Sequence, residues 1–407
     1  MSTINRLAVL GATGSIGASV LDVARLHPEQ IKPVALAGWH NIERLIALAE
    51  EFSPDLLCAA EGEFLTLKAR ASSAGLNCDI KNGSAGLIEM SADAGIDTVV
   101  AGISGAVGLP SAFAAVQAGK RVLIANKEPL VMCGALLMAE ARKSGAMLLP
   151  IDSEHNAIFQ CLPKSLQNEV SGGGIENGGS YDRSGVTKVT LTASGGPFLR
   201  TSSQDLQAVT VEQALNHPNW KMGQKITVDS ATLMNKGLEL IEASVFFGIP
   251  ESKIEVVIHP QSVVHSLVHY ADGSVLAQLA SPDMRVPLAH ALGFPDRIPS
   301  GASALNLVNV ERLDFEAPDT ERFPCLGLAR EAARIGMSMP AILNAANEVA
   351  VSAFLSGRLP FVGIQALVGD VMERCECHEV LSLSDAFHAD QTGRALASEI
   401  LEAKWSS

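Results

Sequence analysis

The chain has 407 residues, more than one ordinary domain core holds, and this length indicates two or three domains. Its 44 acidic residues outnumber 30 Lys and Arg, so the chain as a whole repels polyanions such as nucleic acids and anionic membranes. Hydrophobic residues make up 47% of the chain and aromatic residues 4%, which is typical of an α/β enzyme with helices packed closely on a sheet.

Seven cysteines are scattered without paired spacing, which favours free thiols in a reducing compartment. Cys375, Cys377 and His378 lie close together, but no second ligand pair is near them, so we interpret them as surface residues rather than zinc ligands. The chain does not open with a basic and then apolar signal, and its apolar runs stay below the ~18 residues of a membrane span. We expect a cytoplasmic protein that binds neither membranes nor nucleic acid.

Residues 1–152 alternate short apolar runs with helical patterns. The first are LAVLG (7–11), SIGASVLDVARL (15–26), PVALAG (33–38), NIERLIALAEEF (41–52) and DLLCAA (55–60), and the last are TVVAGI (98–103), RVLIAN (121–126), a helix over about 129–143 and MLLPID (147–152). Continuous apolar strands are typical of a sheet buried on both faces. We therefore predict a Rossmann-like, mainly parallel sheet over residues 1–152.

The pattern changes after residue 152. The polar, glycine-rich stretch 171–185 predicts a mobile surface loop. Four strands of a second, partly antiparallel sheet are predicted in VTKVTLTASGG (186–196), SKIEVVIHP (252–260), SVVHSLVHY (262–270) and SVLAQLA (274–280). We assign residues 153–293 to a central α+β domain, the proline-punctuated residues 294–318 to a linker, and residues 319–407, by their helical period, to a C-terminal helical bundle.

Three glycines, Gly11, Gly14 and Gly17, follow the first strand and open the first helix in the motif GATGSIG. Backbone NH groups and the positive helix end can face a pyrophosphate there, which predicts dinucleotide binding; a glycine turn that serves packing alone is the alternative. The second strand ends in WHN (39–41), where an NAD site usually has an acid for the ribose 2′-hydroxyl. The missing acid favours NADP, unless these residues merely start the next helix with Asn41 as its cap.

Asp152 and Glu154 follow the last strand of the predicted sheet. Residues two apart on an extended backbone point to the same face, so both carboxylates can bind one ion at the edge where open α/β sheets bind ligands. Two solvated loop acids are the alternative.

A third carboxylate, Glu239, is predicted on a helix that Asp229 or Ser230 can cap. Asn235 and Lys236 precede Glu239 by four and three residues, so the three side chains share one helical face, although such a face can also be merely solvated. Three oxygen ligands with space for substrate and water describe a Mg²⁺ or Mn²⁺ site better than a zinc site.

Polar groups suited to a phosphomonoester occur near these acids. Ser194, Gly195 and Gly196 follow a strand, and His217 opens the stretch HPNWKMG (217–223). As isolated features, the glycines could form only a turn and His217 could be a core histidine. We assign His259 and His265 to the core.

Six separated motifs, in order, resemble those of the 1-deoxy-D-xylulose 5-phosphate reductoisomerase family. They are GATGSIG, ANKE (125–128), PIDSEHNAIFQ (150–160), ASGGPF (193–198), HPNWKMGQKITVDSATLMNKGLE (217–239) and HPQSVVHS (259–266). The resemblance covers essentially the whole chain, including LNAANEVAVSAFL (343–355) near its end. The glycine-rich stretch 171–185 looks longer than in the family, and Trp39 is bulky for the adenosine end.

The resemblance implies the site residues. The metal, Mg²⁺ or Mn²⁺, would be held by Asp152, Glu154 and Glu239, and catalysis would involve Lys127, Glu154 and His217. The substrate would be bound by Lys127, Ser153, Glu154, Ser194, His217, Ser230, Asn235, Lys236 and Glu239. NADPH would be bound by Gly11, Thr13, Gly14, Ser15, Ile16, Gly17, Gly38, His40, Asn41, Asn126, Glu128, Gly223 and Met284.

The resemblance also implies an activity. It is the conversion of a small phosphorylated ketose, 1-deoxy-D-xylulose 5-phosphate, into 2-C-methyl-D-erythrose 4-phosphate, a carbon rearrangement followed by hydride transfer to an aldehyde. The enzyme would be an NADP-dependent oxidoreductase of the methylerythritol phosphate pathway to isoprenoids, and typically a homodimer. Residues 220–223 resemble a flap that closes over the substrate.

Two other functions remain open from the residues alone. A semialdehyde or acyl-phosphate reductase shares such glycine openings but needs a nucleophilic cysteine, for which Cys133 and Cys161 are the candidates, although both sit in apolar settings that resemble core packing. The second alternative is a nonenzymatic protein that senses a dinucleotide. It would give no function to the carboxylates of Asp152, Glu154 and Glu239.

Overall fold

The computed structural model describes residues 4–174, 179–218 and 222–405. Its first part contains a seven-stranded sheet in which every neighbouring pair is parallel. In chain order the strands are β1 (Asn5–Leu10), β2 (Ile31–Ala37), β3 (Leu56–Ala59), β4 (Asp79–Asn82), β5 (Thr98–Ala101), β6 (Arg121–Ile124) and β7 (Met147–Pro150). The apolar strands are buried, as a parallel sheet covered on both faces requires, and the predicted Rossmann-like sheet is confirmed.

Helices connect consecutive strands of this sheet. They are α1 (Ser15–Leu26), α2 (Ile42–Phe52), α3 (Phe64–Ser73), α4 (Gly83–Ala92), α5 (Leu109–Gln117) and α6 (Glu128–Ser144). The spatial order of the strands is β4-β3-β2-β1-β5-β6-β7, so the chain changes direction between β1 and β5. Gly11 and Gly102 lie directly after these two strands, at the switch point where open α/β sheets bind ligands.

Three short helices follow β7: α7 (Ser153–Cys161), α8 (Lys164–Ser171) and α9 (Gly179–Ser184). The prediction of one mobile surface loop over 171–185 is wrong for its described part. Ser171 ends α8, and Tyr181 in α9 is 5% exposed, with its hydroxyl donating to the carbonyl of Phe247 at 2.5 Å. The sequence misled because one buried tyrosine anchors an otherwise polar segment; residues 175–178 lie outside the described part.

The second sheet has four strands: β8 (Val186–Ala193), β9 (Ile254–Ile258), β10 (Val264–Tyr270) and β11 (Val275–Leu279). Their order is β11-β10-β8-β9, with β10 antiparallel to both β8 and β11 and β8 parallel to β9. The four predicted strands and the mixed pairing are confirmed. Between β8 and β9 come α10 (Val211–Leu215), α11 (Gln224–Ala231) and α12 (Met234–Phe247), and after β11 comes α13 (Arg285–Gly293).

The rest of the chain is helical apart from irregular connections. Residues 294–318 contain the short helix α14 (Leu307–Val310), and Glu316 forms an isolated β-bridge with Ile258. The predicted C-terminal helices are confirmed as α15 (Cys325–Ile335), α16 (Met339–Leu355), α17 (Phe361–Arg374) and α18 (Leu383–Trp405), of which α16 packs against α15, α17 and α18. Among the helices that the structure describes, none combines the length and apolar composition that a membrane crossing needs.

Helix α12 lies between α6 of the first part of the chain and α15 of the C-terminal helices, and it carries side chains of the candidate site. It packs against α6 and α15. Glycines allow both contacts: a Cβ at Gly134 of α6 would lie 2.3 Å from Cγ1 of Val245, and one at Gly237 would lie 2.4 Å from Cβ of Ala329 in α15. Because there is no room for a side chain at either glycine, the position of α12 is fixed from both sides.

Candidate active site

A cavity of about 400 Å³ opens where the carboxyl ends of the first sheet meet the second sheet and α12. Every residue that the sequence proposed for substrate or metal lines it: Lys127, Asp152, Ser153, Glu154, Ser194, His217, Ser230, Asn235, Lys236 and Glu239. Four of the proposed cofactor residues line it too, namely Ser15, Ile16, Gly223 and Met284. The cavity therefore brings together residues from the dinucleotide motif, the acids after β7 and the helix α12.

Three carboxylates converge in this cavity. Asp152, Glu154 and Glu239 each offer one oxygen, and these oxygens lie within 4.8 Å of one another. The convergence was predicted, but its stated cause, alternation on an extended strand, is wrong. Asp152 is the N-cap of α7 and accepts the backbone NH of Ser153 at 3.1 Å, while Glu154 lies in the first helical turn. The cap and the first turn, not the strand pleat, aim both acids into the cavity.

The first turn of α12 supplies the third acid with two partners. The Nδ2 atom of Asn235 donates to Oε1 of Glu239 at 2.5 Å, and the ammonium group of Lys236 donates to the other oxygen, so the predicted shared helical face is confirmed. The predicted cap is wrong, because Asp229 and Ser230 lie inside α11. Leu233, in a left-handed conformation with φ of 60°, is the N-cap of α12.

Two lysines lie within ion-pair distance of the three acids and offset part of their negative charge. Nζ of Lys127 lies 2.5 Å from Oδ2 of Asp152 and 3.6 Å from Oε1 of Glu239, and Nζ of Lys236 lies 3.2 Å from Oε1 of Glu154. Burial opposes the charged form of Asp152, but the charge of Lys127 holds the pKa of this acid below its usual value. Burial, together with the neighbouring charge of Glu154, raises the pKa of Glu239 to about 7.

This donor set fits a divalent cation. Oxygen ligands from carboxylates suit Mg²⁺ and Mn²⁺, and three acids this close, one of them buried and two largely shielded from solvent, are costly unless cations join them. Here the two ammonium groups compensate only part of the acidic charge. Among the described residues, Cys375, Cys377 and His378 do not form a group of converging ligand atoms of this kind.

Behind the carboxylates lie His155 and Glu242, which sequence reasoning missed. Nε2 of His155 is 2.9 Å from the carbonyl oxygen of Glu239, and its Nδ1 is 3.6 Å from Asp152 and 3.8 Å from Glu242. Burial opposes a charged His155, but the charge of Glu242 raises the pKa of the imidazole to about 9. The helical spacings 152/155 and 239/242 are the signal that could have revealed this pair.

Hydroxyl and imidazole groups form a second cluster in the cavity. Nε2 of His217 lies 3.1 Å from both the Ser194 and the Ser230 hydroxyl oxygens, and the NH of Gly196 donates to the Ser194 hydroxyl at 3.2 Å. The half-buried His217 lines the cavity rather than the core, and burial lowers its pKa. The loop at Gly196 is a turn with φ of 69°, and it packs so closely on α11 that a Cβ would lie 2.7 Å from the Ser230 carbonyl oxygen.

The glycine turn after β1 combines packing with an open helix end. A Cβ at Gly11 (φ of 86°) would lie 2.6 Å from the carbonyl oxygen of Gly102, and one at Gly17 would lie 2.5 Å from Cα of Ala12. Gly14 is the N-cap of α1 and meets only one atom, at 3.4 Å. The turn therefore needs two glycines for packing, while the third leaves the positive end of α1 open to a pyrophosphate.

Several proposed cofactor residues lie outside the cavity lining: Gly11, Thr13, Gly14, Gly17, Gly38, His40, Asn41, Asn126 and Glu128. A Cβ at Gly38 would lie 2.7 Å from Cγ2 of Thr13, so the end of β2 touches the glycine turn. Asn41 caps α2 by accepting the NH of Arg44 at 3.0 Å, so the predicted helix cap is confirmed.

Other cavity residues were not predicted. His265, assigned to the core from sequence, is 6% exposed but lines the cavity, as do Thr192, Ser262 and Asp283. The strand β10 also contains Ser266, His269 and Tyr270, so no signal in the sequence marked His265 as a cavity residue. His259 is a core residue as expected, with Nδ1 2.8 Å from the carbonyl oxygen of Asp314. Of the predicted flap, Met222 and Gly223 line the cavity, and residues 220–221 lie outside the described part.

The two cysteines of the rival mechanism do not line the cavity. Cys133 is buried in α6, and its Sγ is 3.4 Å from the carbonyl oxygen of Pro129. Burial raises the pKa of Cys133 to about 12 and that of Cys161 to about 11, so neither is a poised nucleophile. The Rossmann-like sheet and a cavity lined by its helix end, three carboxylates and two lysines define a dinucleotide-dependent oxidoreductase with a site for a divalent metal.

Comparison with known proteins gives the family. Residues 7–134 match the family described as 1-deoxy-D-xylulose 5-phosphate reductoisomerase, and residues 148–247 and 279–396 match descriptions of C-terminal domains of the same enzyme. The chain belongs to the 1-deoxy-D-xylulose 5-phosphate reductoisomerase family. It is 53% identical to the reductoisomerase of Pseudomonas putida strain W619 and 50% identical to that of Pseudomonas aeruginosa, covering 98% of this chain and 99% of each relative.

Solved structures agree with this assignment. A reductoisomerase in complex with NADPH, fosmidomycin and magnesium has a TM-score of 0.92 at 47% identity and covers 98% of both chains. The Zymomonas mobilis enzyme in complex with NADPH has a TM-score of 0.89 at 40% identity, covering 98% of this chain and 100% of that one. The likeness extends over the whole chain, so it includes both sheets and the C-terminal helices.

Proposed function

We propose that this chain converts 1-deoxy-D-xylulose 5-phosphate in the methylerythritol phosphate pathway, using NADPH and Mg²⁺ or Mn²⁺. The observation that carries the proposal is the meeting of a dinucleotide turn, a carboxylate trio and a hydroxyl–lysine cluster in one cavity. The ketose is rearranged to the aldehyde 2-C-methyl-D-erythrose 4-phosphate. Since a hydride and a proton turn an aldehyde into an alcohol, the released product is 2-C-methyl-D-erythritol 4-phosphate, which corrects the product expected from the sequence.

Asp152, Glu154 and Glu239 would hold the cation. When bound, a divalent metal polarises the ketone and the adjacent hydroxyl and stabilises negative charge on oxygen. The helix cap at Asp152 and the buried position of Glu239, which is 1% exposed, keep these ligands in place. Lys127 and Lys236 offset part of the acidic charge, and with a cation present their ammonium groups can turn to the substrate.

Ser194, Ser230, Asn235 and Lys236 would bind the phosphate. Their hydroxyl, amide and ammonium groups donate the hydrogen bonds that phosphate oxygens accept. Binding at this remote group supplies energy that aligns the reacting carbons near the metal ligands. Lys127, which contacts Asp152, and His217, which contacts Ser194, would orient the substrate and share its protons.

Hydride transfer requires NADPH at the glycine turn. Ser15 and Ile16 of α1, together with Met284, line the same cavity as the carboxylates. NADPH supplies the hydride when bound, and the open N-terminus of α1 would hold its pyrophosphate. At the adenosine end, the absence of an acid in WHN (39–41) supports NADP over NAD.

Three further proposals concern organisation. Residues 1–152 would form the NADPH-binding domain, 153–293 the catalytic and dimerisation domain, 294–318 a linker and 319–407 the C-terminal domain. A homodimer is supported by the edge strand β11, whose Val275 and Leu276 are 45% and 49% exposed, because an apolar edge strand is a template for pairing with a second copy. The scattered free cysteines support a cytoplasmic location.

The deciding experiment is NADPH absorbance loss on mixing purified protein with 1-deoxy-D-xylulose 5-phosphate, with and without Mg²⁺ or Mn²⁺. Metal-dependent oxidation that yields 2-C-methyl-D-erythritol 4-phosphate supports the proposal. No oxidation under any condition would favour a dinucleotide sensor without catalytic activity. Oxidation that needs no metal and stops after thiol blocking would favour the reductase with a cysteine nucleophile.

A further inference from the structure

Helix α11 has two distinct faces. Ile226 and Ser230, four residues apart, line the cavity, whereas Lys225 and Asp229, also four apart, point to a neighbouring direction. Asp229 is 1% exposed although it carries a charge. A carboxylate this deeply buried is costly unless it is paired and hydrogen-bonded, so its partners determine where this helix can sit.

Both oxygens of Asp229 are occupied. Oδ1 accepts the Nδ2 group of Asn347 at 2.8 Å, and Oδ2 lies 2.8 Å from Nζ of Lys225. Asn347 belongs to α16 in the C-terminal bundle and is 0% exposed. Its Oδ1 has no hydrogen-bond partner among the described residues, so the donation to Asp229 is what compensates the burial of this amide.

Charges from two other elements face the same junction. Burial alone would lower the pKa of Lys225, but Asp229, Glu128 at the start of α6 and Glu348 of α16 together raise it. Lys225 is 31% exposed, whereas Asp229 and Asn347 are closed off from solvent. The junction therefore joins α11 to the C-terminal bundle and to the first turn of α6, which follows Lys127.

The end of α11 carries a side chain of the substrate cavity, so a shift of this helix changes the position of that side chain. Ser230 directly follows Asp229, and its hydroxyl is 3.1 Å from Nε2 of His217. The hydroxyl of Thr232 donates to the Asp229 carbonyl oxygen at 3.2 Å, and two residues later α12 begins. The Gly196 turn also packs closely on Ser230, because a Cβ at Gly196 would lie 2.7 Å from the Ser230 carbonyl oxygen.

We propose that Asn347 is a positioning residue for the substrate site: through its bond to Asp229 it fixes α11 and thereby places Ser230 against the substrate's phosphate. The inference rests on the proposed function for the identity of the substrate. It gives the C-terminal bundle a role in substrate binding, although Asn347 itself touches neither substrate nor cofactor.

The test compares Asn347→Leu with Asn344→Leu. Leu has the same branching and the same number of side-chain heavy atoms as Asn, and Asn344 is equally buried one turn earlier on α16, donating to Glu348 at 3.2 Å rather than to Asp229. We expect Asn347→Leu to raise KM for 1-deoxy-D-xylulose 5-phosphate on the order of tenfold, with KM for NADPH within about twofold, because the buried Oδ1 of Asp229 loses its donor and the carboxylate, still paired with Lys225, moves toward water. Asn344→Leu should leave KM for the ketose within about twofold.

Two further variants make the result decisive. The double exchange Asp229→Asn with Asn347→Asp restores a donor and an acceptor in reversed order and should recover most of the lost substrate affinity. If Asn347→Leu does not fold, Asn347→Ser, too short to reach Asp229, replaces it. An unchanged KM for the ketose in Asn347→Leu would overturn the proposal. So would rises of KM for the ketose and of KM for NADPH that are equal in Asn347→Leu and Asn344→Leu.

Hydrogen exchange separates this inference from the proposed function. In the wild-type protein and in Asn347→Leu, amide exchange of the peptide that covers α11 is measured without substrate. Faster exchange in α11 but not in α15 supports positioning even if the wild type fails to oxidise NADPH with the ketose, which would sink the proposed function alone. Unchanged exchange in α11 would contradict the positioning role whatever the substrate is.

Discussion

The cavity has a proposed cofactor end, at the glycine turn after β1, and a proposed metal end, at the three carboxylates. The two ends are built in different ways. The cofactor end is made by backbone: a glycine turn and the N-terminus of α1, with contacts that exclude a Cβ at Gly11 and Gly17. The metal end is made by buried charged side chains from three separate stretches of sequence, with two lysines against three acids. One end depends on shape and the other on the balance of charge.

This difference determines how each end responds to substitution. Where backbone forms the site, an added methyl group displaces the chain itself, so stability and cofactor affinity fall together. Where buried charges form the site, an isosteric change leaves the shape intact and alters only electrostatics, so catalysis falls without loss of the fold. The predictions below test this contrast.

The largest effect is expected at the metal end. Glu239→Gln keeps the volume of the side chain but removes one ligand charge, so kcat should fall on the order of 10²–10³-fold while NADPH affinity changes little. Steady-state kinetics across a metal titration and fluorescence titration with NADPH measure both quantities. Near-normal turnover at low metal would show that Glu239 is not a ligand.

Glu242→Gln is the matched control for this change. Glu242 lies on the same helix and is equally buried, but it faces His155 rather than the cavity. Its substitution should lower kcat far less than Glu239→Gln does. Equal losses in both variants would mean that overall charge in α12, rather than metal ligation, controls turnover.

A smaller effect is expected at the phosphate cluster. Lys236→Ala removes charge-assisted hydrogen bonds that contribute roughly 1.5–3 kcal/mol, so KM for the ketose phosphate should rise about 10–150-fold. Lys236→Met, which keeps most of the side-chain length, should give a similar rise if charge rather than packing is responsible. An unchanged KM in both variants would contradict a role in phosphate binding.

At the cofactor end, shape should dominate. Gly17→Ala forces a Cβ to within 2.5 Å of Ala12 and should destabilise the fold by roughly 1–3 kcal/mol, with weaker NADPH binding. Gly14→Ala meets only one atom, at 3.4 Å, and should leave stability unchanged within about 0.5 kcal/mol. Denaturant unfolding measures both; equal stability of the two variants would refute the packing role of Gly17.

No effect is expected from thiol blocking. Since burial raises the pKa of Cys133 to about 12 and of Cys161 to about 11, both remain protonated at neutral pH and react slowly. Activity after treatment with an alkylating reagent should therefore equal that of the untreated enzyme. Loss of activity in parallel with modification of Cys133 or Cys161 would revive the nucleophilic mechanism.

The sequence predicted the two ends unequally well. Short apolar runs and the glycine spacing are local signals, so β1, α1 and the turn between them could be placed directly. The convergence of Asp152, Glu154 and Glu239 was also predicted, but for a wrong local reason. The strand β7 ends at Pro150 and α7 begins at Ser153, so Asp152 is a helix cap rather than a strand residue. The residue pattern there fits both an extended and a capping conformation.

What the sequence did not reveal depends on tertiary contacts. His265 and Asp283 lack any spacing that distinguishes a cavity residue from a core or surface residue, and they reach the cavity only through the second sheet and its connection to α13. Tyr181 likewise lies in a segment whose composition is that of a polar loop, and only its hydrogen bond to the Phe247 carbonyl oxygen shows that it is anchored. Such contacts join residues far apart in sequence, where no periodicity connects them.

The clamped position of α12 bears on how small a working version of this protein can be. Much of its support comes from α15, against which Gly237 packs without room for a Cβ. A chain shortened before α15 would expose that glycine face and leave Glu239 on a helix supported from one side only. The C-terminal bundle is therefore part of the smallest folding unit that can present the proposed metal ligands, and deleting it should abolish the site without altering any residue in it.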